Sequence, residues 1–343
     1  MTPSSSSSSW AAASRSPWPL EAKEDAITTA CGEGDAALER VARVMLANGD
    51  TSADRAVALL RENGEPHVRP RVITAKGDAT QIAAQLAPLR KAHTRCGVAM
   101  LEDRVLVVTV DALADLDPLP TRARTGEWLT FSASLHTNAK NAKLIVLGPR
   151  GAPRTVPTSF QSSKTRAVAR FALDQPGAFI VQLMGDLDGT GPQPLLEARV
   201  FADTAPSTSL LDLPAPGEDE PSLDRMVAKL RTSESLSNLK RDERLDALAA
   251  AHLKDMIAKR TIAHDVGDGD LRERFERESL AATSIGENVA KARTLPLAHR
   301  ALHASPGHRM NLLRADYTHI GLASGADELG NVYVCEVFAV GLR

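Results

Sequence analysis

Apolar residues return every three or four positions in DAALERVARVML (35–46), SADRAVALLREN (52–63) and ATQIAAQLAPLRKA (79–92), and that spacing predicts three helices. The alternating run RVLVVTVDA (104–112) follows and predicts a strand, so residues 23–117 read as a small α/β domain. From Pro118 the pattern changes to short apolar runs, WLTFSASL, AKLIVLG, RAVARFAL, AFIVQLMG and LEARVFA, separated by GPRG, DQPG and DGTG turns. Short runs punctuated in this way predict an antiparallel β-sandwich of immunoglobulin type over 118–205. The Pro-, Ser- and Asp-rich stretch 206–220 reads as a linker. Helical spacing then returns in PSLDRMVAKLRTSES and RDERLDALAAAHLKDMIAKR, within a last domain spanning 221–343. Leu245, Leu248, His252 and Met256 share one helix face, which turns His252 inward as a core histidine bonded to backbone. The fold class that follows is multidomain α+β.

Chemistry concentrates in the last domain. Asp270 and Glu273 have the spacing of a capping box ahead of LRERFERE, which leaves AHDVGDG (263–269) as an irregular loop carrying His264. In SPGHRMNLL (305–313), Ser305 suits an N-cap and Pro306 the first helical position, so His308 falls in the first turn. A helix N-terminus disfavours added positive charge and biases His308 toward its neutral form, the form that binds metal or accepts a proton.

The ordered set AHD (263–265), IGENVA (285–290), SPGHRMNLL and YTHIGLASG, closed by the strand NVYVCEVFAV, resembles the bacterial branch of the CAP superfamily, the cysteine-rich secretory, antigen 5 and pathogenesis-related-1 proteins. The resemblance covers about residues 221–343. It implies an α-β-α sandwich whose cleft gathers His264, Glu287 and His308. Two departures stand out: Leu302 occupies a position usually held by Trp, and Ser305 falls where many eukaryotic members place a second cleft glutamate. His299 and His303, just upstream, are expected at the surface.

Two imidazoles and a carboxylate can form an open zinc site, with ligands at about 2.0 to 2.2 Å and one position left for water. His264 and His308 are then the candidate ligands for zinc or another divalent metal, and Glu287 a group that orients a ligand or water. Three functions compete. In the first, the protein is a noncatalytic CAP protein whose cleft binds a divalent metal or a small extracellular ligand, with a lipid or a protein as possible partner classes. In the second, it is a zinc-dependent hydrolase or peptidase with Glu287 as general base on a metal-bound water. In the third, it is a purely structural or interaction protein of the envelope in which the histidines only keep the loops ordered; for Glu287 and Asn288 themselves, the plain alternative is that they hold a loop before a helix through its backbone amides.

Composition narrows this further. A chain of 343 residues, 43% apolar, is long enough for two or three cores. Its 41 basic and 43 acidic side chains give no dedicated nucleic-acid surface, and no apolar run reaches the roughly 18 residues of a membrane span. The start MTPSSSSSSWAAASRSPWPL lacks a signal-peptide core, and 1–22 reads as a disordered leader. The resemblance nevertheless points to an extracellular or cell-envelope location, the alternative being cytoplasmic. Of the cysteines at 31, 96 and 335, the first two either staple the first domain or remain buried thiols, and Cys335 reads as a buried thiol in a strand. Finally, CGVAMLEDRVLVVTVDA (96–112) echoes IGLASGADELGNVYVCEVFA (320–339), so the first domain is a candidate degenerate relative of the last.

Overall fold

The computed structural model describes residues 21–161, 165–187, 191–206 and 214–343, so most of the expected leader and the centre of the expected linker lie outside the described residues. The first unit contains α1 (Glu21–Cys31), β1 (Glu33–Gly34), α2 (Ala36–Asn48), α3 (Ala53–Glu62), β2 (Arg71–Lys76), α4 (Ala79–Leu86), β3 (Thr94–Leu101) and β4 (Arg104–Asp111). Asp35 starts α2 by accepting the Ala37 and Leu38 amides, and Gly49, at φ +67°, ends it in the left-handed region. The third expected helix is shorter than its apolar pattern. Pro88 has no amide to donate and its ring crowds the preceding turn, so α4 stops at Leu86 and passes into a 3-10 turn. Helix α1 and strand β2 had no clear periodic signal, β2 being a mostly half-exposed edge strand.

The sheet order is β1-β3-β4-β2. On one face Leu38, Val41 and Met45 pack on Leu106 and Val108; on the other, Ile27, Ile82 and Leu86 pack on Val98 and Val107. Cys31 and Cys96 form a disulfide that ties α1 to β3, settling the choice the sequence left open.

The middle unit contains β5 (Ala114–Leu116), β6 (Arg122–Ala123), β7 (Trp128–Leu135), β8 (Lys140–Leu147), β9 (Arg154–Val156), β10 (Thr158–Gln161), β11 (Arg166–Ala172), β12 (Gly177–Leu187) and β13 (Gly191–Ala202). They form sheets of order β10-β11-β7-β5 and β6-β13-β12-β8-β9. Alternate residues of each, such as Leu129, Phe131 and Ala133 against Val146, Phe179 and Val181, meet in one shared core.

The last unit contains α5 (Leu223–Ser233), β14 (Lys240–Arg241), α6 (Glu243–Ala258), α7 (Leu271–Arg277), β15 (Ser284–Ala292), α8 (Leu295–Ala304), α9 (Pro306–Leu312), β16 (His319–Ala326) and β17 (Val332–Val340). Its sheet, β14-β16-β17-β15, carries α6 and α7 on one face and α5 and α8 on the other. The part of the expected linker that is described does not hang free. His299 of α8 donates to the Pro216 carbonyl at 3.0 Å, and Arg300 is paired with Glu218.

The first and last sheets share strand order and strand directions: β1 runs parallel to β3 as β14 does to β16, and the remaining pairings are antiparallel. The matched details extend to single atoms. The Asp35 amide donates to Cys96 and the Asp242 amide to Ile320, at 2.9 and 3.0 Å. A Cβ on Gly97 would run into the backbone of Leu38, and one on Gly321 into that of Leu245, so glycine is required at both strand–helix crossings.

Because the disulfide closes a loop of 65 residues, its loss should destabilise the first unit by about 4 kcal/mol through unfolded-chain entropy. Urea unfolding of the Cys31→Ser/Cys96→Ser variant measures this; a loss below about 1 kcal/mol would show that the bond closes no significant free loop.

Candidate functional site

Three of the expected elements converge beside β15. The GEN motif lies within this strand rather than in a loop before a helix, because β15 pairs along its whole length with β17, placing Glu287 opposite Val337 and Asn288 opposite Glu336. Glu287 is buried, and both carboxylate oxygens are engaged: Oε1 accepts from His264 Nδ1 at 2.8 Å and Oε2 from Arg274 at 2.8 Å. It bonds no backbone amide in the manner the loop-holding reading required. Burial pushes its carboxyl up, but the His264 hydrogen bond and the nearby charges of His264, Arg274 and His252 outweigh that, and it titrates below the ordinary value. Cys335, buried beneath it at 3.8 Å, has its thiol pushed far up by burial and by the Glu287 charge.

The loop carrying His264 is fixed from three sides. Arg274, on α7, donates to the His264 carbonyl at 3.0 Å. Asp270 and Glu273 form the expected capping box at the start of that helix. His252, wholly buried on α6, donates to the Ala263 carbonyl at 2.9 Å and to Asp268 at 2.7 Å. The inward, backbone-bonded placement expected of His252 is what the structure has. With Nδ1 of His264 bonded to Glu287, its Nε2 is the ring nitrogen without a hydrogen bond among the described residues.

His308 sits in the first turn of α9, as expected, but the reason for its neutrality differs. Burial is the largest cause and the positive neighbours His264 and Arg61 add to it, together holding the ring down to about 3. Ser305 occupies the N-cap position yet makes no side-chain capping bond. The carbonyl of His308 is instead held by Asn288 Nδ2 at 3.1 Å. Asn288 also donates to Glu336 at 2.9 Å and accepts from Asn311 at 2.9 Å, and Asn311 donates to the Glu287 carbonyl at 3.1 Å. This amide lattice clamps α9 onto β15.

Arg274, Asp268, Asn311 and Glu336 were not singled out by sequence reasoning. Glu336 stood in an otherwise apolar strand, and a lone acid in such a run is the one signal that was available. His299 and His303 are not at the surface: His299 is fully buried and His303 half-buried, and burial lowers both, His303 to about 3.

Among the described residues no group of three or more His, Cys, Asp and Glu is arranged to hold a metal ion. Glu287, with both oxygens committed to His264 and Arg274, has none free to complete a three-ligand zinc site. In the first unit the same registers carry Val72 for Glu287, Ile73 for Asn288 and Val107 for Glu336.

Two groups set opposing pH dependences. Burial pushes Glu336 from 4.5 up to about 7, so across that window the folded chain holds a proton the unfolded chain has released, and stability falls as pH rises. His308 drops from 6.5 to about 3; across that window the unfolded chain holds the extra proton, and stability falls as pH drops. Glu336→Gln should therefore flatten the alkaline side of a stability–pH curve and His308→Gln the acid side, as read by urea midpoints from pH 4 to 8. Removing the Glu287 partner, in Arg274→Met, should cost about 3 kcal/mol by leaving a buried carboxylate half paired; an unchanged midpoint would mean that His264 alone suffices.

A protein-family profile for CAP, the cysteine-rich secretory protein family, matches residues 225–337. No curated protein matches the chain. Among solved structures, an outer surface protein of Borrelia burgdorferi is similar at 22% identity over 34% of this chain and 89% of that one, with a TM-score of 0.32. An extracellular protein containing a SCP domain from Bacillus anthracis is similar at 16% identity over 66% and 88%, with a TM-score of 0.31. Venom allergen-like protein 4 of Schistosoma mansoni is similar at 15% identity over 31% and 69%, with a TM-score of 0.24. Segment 225–337, which carries the histidine- and GEN-bearing elements, therefore matches the CAP family, the cysteine-rich secretory proteins.

Proposed function

We propose that this chain is an exported or cell-envelope CAP protein whose cleft binds a ligand and does not turn it over. The observation that carries the reading is the state of Glu287. A general base needs a free oxygen facing its water, whereas both oxygens of Glu287 are held, by His264 and by Arg274. The carboxylate instead orients His264, so that two imidazole nitrogens, His264 Nε2 and one from His308, are what the cleft offers. Such a pair suits a divalent cation held weakly, or a small extracellular ligand with donors of its own. The Cys31–Cys96 disulfide supports an oxidising location. In the described residues no helix is long and apolar enough to cross a membrane.

The reading assigns the upstream regions as well. Residues 23–117 are a relative of the CAP domain that has lost the site, given the common strand order and the apolar residues at the registers of Glu287, Asn288 and Glu336. Residues 118–205 are an immunoglobulin-like sandwich joining the two.

Zinc titration by calorimetry on the full chain, beside His264→Ala/His308→Ala, at pH 7.5 and pH 5.5, tests the cleft. Saturable binding that disappears in the double variant and weakens at the lower pH is the expected outcome, since protons compete for imidazole. Turnover of a peptide or ester panel that is lost in Glu287→Gln would overturn the noncatalytic reading.

A further inference from the structure

Were the middle unit a free spacer, the residues of its larger sheet that point away from the core would face water. Phe179, Val181 and Leu183 point into that core, so Ile180, Gln182 and Met184 point out. Yet Gln182 is only 1% exposed, and Glu197 and Arg199 on the neighbouring strand are buried too. The chain itself covers them, from two directions.

From the first unit, Arg61 at the end of α3 pairs with Glu197 at 2.6 Å, the Glu197 amide donates to the Pro66 carbonyl at 2.9 Å, and Arg199 donates to the Arg61 carbonyl. From the last unit, α9 lies against the same sheet. The Gly307 amide donates to Gln182 Oε1 at 3.2 Å, and Thr155 of β9 donates to Met310 Sδ at 3.8 Å. The Met184 thioether sits where a Cβ on Gly307 would meet it at 3.2 Å, so a side chain at 307 would have to push Met184 slightly aside. Gln182 is not free to rotate away, because its Nε2 donates to Glu197 Oε2 at 3.0 Å. That bond fixes which end of the amide faces α9.

We propose that Gln182 is a positioning residue for the CAP cleft, accepting the first-turn amide that Ser305 leaves uncapped and so setting the place of His308 from a different unit of the chain. The relay Arg61–Glu197–Gln182–Gly307 makes the cleft a product of all three units. Its consequence for ligands rests on the binding reading above, but the positioning itself is a contact of amides and stands without a ligand.

The test uses the full chain labelled with ¹⁵N-glycine and carbonyl-¹³C proline, which isolates the three Pro-Gly pairs at 176–177, 216–217 and 306–307. In Gln182→Met, of similar length but with no acceptor, amide exchange at Gly307 should quicken about five-fold, the equivalent of one ordinary hydrogen bond. The urea midpoint should hold. Gln182→Asn, a gentler change that withdraws the amide by one methylene, should do the same if the first variant folds poorly. Exchange at Gly307 within about two-fold of wild type in both variants would overturn the proposal. So would a uniform quickening of every protected glycine, since that reports loss of the whole fold. Zinc is titrated in parallel: the variants should bind it several-fold more weakly than wild type. A wild type that takes no zinc fails the binding reading and leaves the exchange result to decide this one.

Discussion

A carboxylate sealed inside a sheet–helix interface has to be met by positive and hydrogen-bonding partners, and much of the last unit is arranged around that requirement at Glu287. Its two oxygens draw in His264 and Arg274. Each brings its own element: Arg274 carries α7 and grips the loop through the His264 carbonyl, while His252 and Asp268 close that loop against α6. The desolvation cost of the acid is offset only when all of these are in place, so the loop, a short helix and a strand are ordered together. The same arrangement leaves Nε2 of His264 as the ring nitrogen that the carboxylate does not engage.

Much of this could be read from the chain, and the parts that could not share a cause. Helices α2, α3 and α6 announced themselves through long apolar stripes, and His264, Glu287 and His308 through the order of three short motifs. What escaped was decided by contacts between distant segments. Nothing local marks Asn311 as the partner of Asn288 or Arg274 as that of Glu287, because those pairs form only once β15 lies between α7 and α9. The same applies to Ser305. Its residue type and position suited a cap, yet the acceptor that meets the first turn of α9 comes from Gln182, more than a hundred residues upstream. Local propensity places a helix start correctly and is silent on who satisfies it.

The β-rich middle of the chain is easily mistaken for a passive connector, since its sequence has no cluster of acids, histidines or cysteines. Its chemistry is polar and singly placed: Gln182, Glu197 and Arg199 on the outward face of a sheet. Such residues at period-two positions look like ordinary solvent-facing ones, and only the packing of neighbours on both sides turns them into interior groups.

The two sheets of identical strand order permit a comparison that a single domain would not. One is filled at the decisive registers with Val72, Ile73 and Val107 and is stapled by a disulfide; the other holds Glu287, Asn288 and Glu336 there and has only the lone thiol of Cys335. Buried ionic and amide groups are commonly no more stabilising than well-packed aliphatic side chains of like volume. Warming the chain should therefore loosen the last unit before the first, and the apolar first unit supplies, within the same molecule, the reference state from which the cost of burying polar groups in such a sheet can be gauged.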